Sequence, residues 1–121
     1  MGSRKRELKN DYKQSSRPMG VYKISNTVNN KVLVGSSVNL PSILNRHKFE
    51  LQLGGHQNKT LQAEWNEFGS ENFTFEVVEE LKPKEEGGDY KSDLAILEEI
   101  YLDMLQPYDE RGYNERKKEK T

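Results

Sequence analysis

The first regular pattern of apolar and polar positions falls at Gly20 to Ser25 (GVYKIS) and Lys31 to Gly35 (KVLVG), two short runs rich in β-branched residues. NTVNN lies between them, and its asparagines suit a turn, so the pair predicts a β-hairpin. Asn39 is then placed to cap a helix that accepts Pro41 in its first turn and runs to about Leu53, where Gly54 and Gly55 stop it. A second helix, from about Lys59 to Phe68, carries Leu61, Trp65 and Phe68 at i, i+4 and i+7 and closes at Gly69, a stripe that reads as core. In NFTFEVVEE, Phe73, Phe75 and Val77 alternate with Thr74, Glu76 and Val78, which predicts a half-buried strand with the first set inward. A last helix spans about Tyr90 to Gln106, ended by Pro107. The order β-β-α-α-β-α predicts an α/β fold: a small three-stranded, mainly antiparallel sheet flanked by helices.

Composition narrows the picture. The chain has 121 residues, 32% hydrophobic and 32% charged, which fits one small core in a highly solvated shell. The division read from the sequence is a basic arm or frayed helix at 1–17, a domain at 18–114 and a basic tail at 115–121. The stretch KPKEEGGDYKSD reads as a polar, acidic loop. Net charge is −1, but residues 1–18 hold six Lys/Arg against two Asp/Glu, residues 111–121 five against two, and residues 79–110 three against eleven. Basic ends on a neutral to acidic body are compatible with nucleic-acid contact through the tails. There is no cysteine, so disulfide and thiolate chemistry are excluded. No run approaches the length of a membrane span and the start lacks the apolar core of a signal peptide, so a cytoplasmic protein is the expectation.

Helical periodicity singles out three side chains. With Leu94 at zero on the last helix, Leu97 falls at about 300°, Tyr101 at about 340°, Leu105 at about 20° and Leu102 at about 80°, and Glu98, at about 40°, lies inside this apolar arc. Glu99, at about 140°, lies towards solvent with Asp103. A carboxylate on an apolar face needs a partner, an ion pair or a metal ion. On the first helix, with Leu40 at zero, His47 falls at about 340° between Ile43 and Leu51, while Arg46, at about 240°, sits at the rim of the stripe. An inward Glu that holds a hard divalent cation, an Arg that neutralises a phosphate, and a Tyr or His that assists water form a set suited to phosphoryl chemistry.

GVY at Gly20 to Tyr22, LVG at Leu33 to Gly35, SSVNL, His47, HQNKTLQAEWNEFGSENFTFEVVEEL, LEEIYLDMLQP and GYN follow one another in an order that resembles the GIY-YIG nuclease family from Gly20 to Asn114. The resemblance implies a metal-dependent endonuclease domain that hydrolyses a DNA phosphodiester. It implies that Tyr22 acts at the nucleophilic water and that Glu98 binds one Mg2+ or Mn2+. His47, His56 and Asn114 match the family's His, His and Asn, and Ser36, beside the second motif, joins His56 and Asn114 on the substrate side. Two positions depart from the pattern: Leu33 stands where the second Tyr would be, and Ile43 where a helix Arg would be. The expectation is that Arg46, one turn on, replaces the Arg, and that His47 covers part of the missing Tyr role.

DNA is thus the expected partner, with RNA left open, no membrane, and oligomeric state unread. The alternative is a nucleic-acid-binding module on an inactive nuclease fold, favoured by Leu33 and the displaced Arg. A third reading uses acidic 79–110 as a protein-contact surface. Retention of Tyr22, Glu98 and Asn114 favours the nuclease.

Overall fold

The structure, a computed structural model, describes residues 18–82 and 90–115. The arm at 1–17, the tail beyond 115 and most of the acidic loop read from the sequence lie outside the described residues. Strands β1 (Met19–Asn26) and β2 (Val32–Ser37) form the hairpin, followed by helices α1 (Leu40–Leu53) and α2 (Lys59–Phe68), strand β3 (Phe73–Leu81) and helix α3 (Tyr90–Leu105). The sheet is antiparallel throughout, in the order β2-β1-β3, which puts β2 at an edge.

Local chemistry sets the helix ends. The Asn39 side chain accepts from the Ser42 amide at 3.2 Å at the start of α1, and Asn58 does the same for Leu61 at 3.0 Å in α2, each satisfying a donor that the first turn leaves free. Gly54 ends α1 at φ 83°, a left-handed conformation that costs a glycine little.

Both faces of the sheet are covered. On one, Ile24 and Phe73 pack with Leu51 of α1 and Leu61 and Trp65 of α2; on the other, Val21 and Val34 pack with Leu102 of α3. Trp65 stacks at a tilt on Phe73, ring centroids 5.2 Å apart, and meets Phe75 edge-on at 6.2 Å. Trp65→Ala is therefore expected to cost about 3–5 kcal/mol of stability, measured by urea denaturation, because the two phenylalanines cannot collapse into the space left.

The alternation expected along β3 holds for Phe73 and Phe75 and then inverts. Val21 pairs with Glu79 but Tyr22 pairs with Val77, so Val78 is an extra residue, a β-bulge. Val78 is turned onto the α3 face and Val77 is left 44% exposed.

Residues 112–114 close the sheet edge. Gly112 bridges Val32 in parallel, Tyr113 N–H donates to the Val32 carbonyl at 2.9 Å, and the Asn114 side chain pairs with both backbone groups of Val34 at 2.8 Å. Tyr113 is pinned in turn by Glu64, which also takes Asn29 and Lys31 from the hairpin turn. This covered edge strand is the floor of the candidate site.

Candidate active site

Tyr22 lies on β1 opposite Gly35 of β2, and its ring spans that glycine; a Cβ at position 35 would collide with the phenol. The hydroxyl thereby reaches the edge strand and meets Nε2 of His47, one α1 side chain that the helical stripe turns inward, at 2.8 Å. Nδ1 of His47 meets Nε2 of His56 at 2.7 Å, and the two rings stack. Nδ1 of His56 accepts the backbone N–H of Asn58 at 3.0 Å. His47 and His56 are both buried.

That last bond fixes the direction of the whole chain. A nitrogen that accepts an N–H carries no proton, so neutral His56 is protonated at Nε2 and donates to His47 Nδ1. His47 is then protonated at Nε2 and donates to the Tyr22 oxygen. Among the described residues the Tyr22 hydrogen has no acceptor, so it can point into the open site. His47 therefore contributes through Tyr22: its Nε2 already holds a proton, so it cannot take one from the phenol.

The electrostatics agree with a neutral chain. Burial, then the neighbouring His56 and Arg46, push His47 down from 6.5 to about 4, although Glu50 pulls the other way. Burial lowers His56 as well. Tyr22 is pushed up to about 12, first by burial and then by the negative charge of Glu98. For His47 the unfolded chain takes up a proton before the folded one, so its contribution to stability is complete above pH 6.5 and is lost as pH falls towards 4. A urea midpoint that drops between pH 7.5 and pH 5, and drops less in His47→Gln, is the expected result.

Glu98 comes from α3, on the opposite face of the sheet, and its carboxylate accepts the Ser36 hydroxyl of β2. It is half-buried, as its place in the apolar arc required. Among the described residues it has no basic partner; the ion pairs there are Lys31 with Glu64 and Arg46 with Glu50. Glu98 and Tyr22 thus approach the same strand edge from two sides, with glycine between them.

On the Tyr22 side opens a cavity of about 560 Å³, lined among others by Leu33, His47, His56, Lys59 and Asn114. Leu33 sits where a second tyrosine would place a hydroxyl into that space. Arg46 is not part of the lining: its side chain is 72% exposed and its Nε donates to Glu50 at 3.1 Å. To reach the cavity it must release that carboxylate. Asn114 borders the cavity, but both ends of its amide are engaged by Val34, so it holds the strand rather than presenting a free group. Sequence reading passed over Lys59; the available signal was a base directly after the capping Asn58, where helices favour acids.

Two donor sets suit cations of different kinds. The oxygens of Glu98 and Ser36 suit a hard ion such as Mg2+ or Mn2+. His47, Glu50 and His56 each offer a ligand atom within 4.8 Å of the others, an imidazole-rich set suited to a borderline ion such as Zn2+. Every ring nitrogen of that cluster is already in the hydrogen-bonded chain, so an ion there would have to break it.

A phenol, a histidine pair and a half-buried carboxylate without a basic partner among the described residues are gathered at the edge of a three-stranded sheet, an arrangement shared with the class of nuclease-like domains. The profile of the GIY-YIG catalytic domain matches residues 18–114, and the chain belongs to that family. It is 36% identical over 95 residues to Intron-associated endonuclease 1 of Enterobacteria phage T4, a match that covers 78% of this chain and 36% of that protein's length. The solved catalytic domain of the homing endonuclease I-TevI superposes with a TM-score of 0.67 at 32% identity, over 82% of this chain and 99% of that one. A mutant form of the same catalytic domain gives 0.65 at 32% identity, over 80% and 92%. The antiparallel sheet with its β-β-α-α-β-α order is thus that of a known nuclease domain. Among the described residues no helix is long and apolar enough to cross a membrane.

Proposed function

We propose that this domain hydrolyses DNA phosphodiester bonds with one hard divalent cation, Mg2+ or Mn2+, held by Glu98. The observation that carries this reading is the Tyr22 hydroxyl, whose hydrogen is left free by the ordered His56–His47 chain and which stands at the same strand edge as a half-buried carboxylate that has no basic partner among the described residues.

In hydrolysis the water oxygen forms a bond to phosphorus and gives up a proton to solvent, the ester P–O bond breaks, and the departing oxygen gains a proton from solvent. Tyr22 is neutral at physiological pH, so its role is to donate: it fixes the attacking water or a phosphate oxygen in position. His47 and His56 hold the phenol oxygen in place. Ser36 orients the Glu98 carboxylate, and Asn114 keeps the edge strand fixed beneath the cavity. The cation, when bound, supplies Lewis-acid stabilisation of phosphate charge.

The competing reading is a binding module that retains the fold and has lost the chemistry, favoured by Leu33 and Ile43 at the two departing positions. The two readings separate when supercoiled plasmid is incubated with the protein in Mg2+, in Mn2+ and in chelator, with gel retention followed over a salt series. Nicking that needs the metal supports the nuclease; salt-sensitive retention without nicking supports the module. An RNA duplex of the same sequence tests the choice of nucleic acid.

The same cavity tests the cost of the missing hydroxyl. Leu33→Tyr is expected to raise the cleavage rate about tenfold, since it adds a positioned proton donor to open space, and plasmid nicking rates measure it.

A further inference from the structure

A phosphodiester bound beside Tyr22 brings a negative charge into a half-enclosed space, where it needs a cation. Ile43 provides none. Arg46 is engaged with Glu50 on the exposed side of α1. Among the residues lining the cavity, Lys59 is the one Lys or Arg, and it shares that lining with Tyr22, His47 and His56.

Its place in α2 is also locally unfavourable. Lys59 is the first residue of the helix, directly after the capping Asn58, and the first turn holds no acid. A positive charge there opposes the exposed N–H groups and the positive end of the helix dipole. A local rule broken at the mouth of a site is the pattern left when a residue is kept for function rather than stability. The residue is exposed and borders the cavity.

We infer that Lys59 supplies the phosphate-neutralising charge that position 43 lacks, by binding a non-bridging oxygen of the scissile phosphodiester in the Tyr22 cavity. The inference rests on the nuclease reading for the word scissile; the phosphate contact itself does not require cleavage. The charge is delivered from the start of α2 rather than from α1.

The test compares wild type with Lys59→Gln, Lys59→Arg and Arg46→Ala in two assays on one short duplex: single-turnover cleavage in Mn2+, and affinity over a salt series without metal. Thermal melting accompanies each variant. Lys59→Gln is expected to lower the cleavage rate on the order of 10²-fold, to reduce the slope of log affinity against log salt by about one, and to leave the melting temperature unchanged or higher. Lys59→Arg restores most of both losses, which a purely structural role at the helix start would not produce. Arg46→Ala costs less than Lys59→Gln in both assays.

Wild-type cleavage and slope in Lys59→Gln would overturn the inference and leave the nuclease reading standing, as would a loss confined to Arg46→Ala. If wild type fails to cleave but Lys59→Gln still lowers the salt slope, the nuclease reading falls while the phosphate contact by Lys59 is upheld. If wild type fails to cleave and the slope is unchanged, both fall.

Discussion

Glu98→Gln is expected to lower the single-turnover cleavage rate on the order of 10³-fold while leaving the fold and DNA retention in place. The size follows from the several kcal/mol of phosphate charge stabilisation that a bound cation contributes. Glutamine keeps the shape of the side chain and an oxygen to accept the Ser36 hydroxyl, so the α3 contact with β2 survives. What is removed is the negative charge, and with it the proposed attraction for a hard cation at this edge. A second readout comes from Tyr22: part of its upward shift is due to the Glu98 charge, so the phenol in Glu98→Gln titrates below that of wild type. Cleavage of a labelled duplex and ultraviolet titration of the phenol check the two halves.

Tyr22→Phe is expected to lower cleavage by 10²- to 10³-fold, roughly the loss seen when one well-placed donor is removed from a charge-stabilising site. The ring still crosses Gly35 and the hydrophobic packing is retained. The His47 Nε2–H loses its acceptor in a buried position, which costs about 1–3 kcal/mol of stability. The two effects separate by assay: urea denaturation reads the second, and cleavage at a temperature where both proteins are folded reads the first. The pH profile adds a further check. Burial is the larger cause of the upward shift of Tyr22 and persists when Glu98 holds a cation, so cleavage by wild type is expected to show no rise from phenol ionisation between pH 7 and 9.

Much of the fold, and the inward placement of two candidate site residues, was legible in the sequence. The order of elements followed from β-branched runs, capping asparagines and glycine stops, because local propensity and the hydrophobic pattern agree along most of the chain. Glu98 and His47 were found by helical periodicity, since an inward polar side chain on an apolar stripe has few ways to be satisfied. The bulge at Val78 was not legible: VV in EVVEE fits either alternation, and only pairing with β1 selects the valine that turns inward. The direction of the Tyr22–His47–His56 chain was also hidden, because it depends on one backbone N–H, that of Asn58, folded against His56. The pairing of Arg46 with Glu50 was present in the sequence as an i, i+4 spacing, which on an exposed helix face favours a local ion pair. That spacing weighs against a reach of Arg46 back to the cavity, and it is what turns attention to Lys59.

The measurement that tests the central claim most directly is nicking of supercoiled plasmid by wild-type and Glu98→Gln protein purified in parallel, in Mn2+ and in chelator, with gel retention on the same preparations. The account predicts nicked circle from wild type in Mn2+ alone, a loss on the order of 10³-fold in Glu98→Gln, and equal retention by both. Equal nicking by the two proteins, or retention without nicking by either, would contradict it.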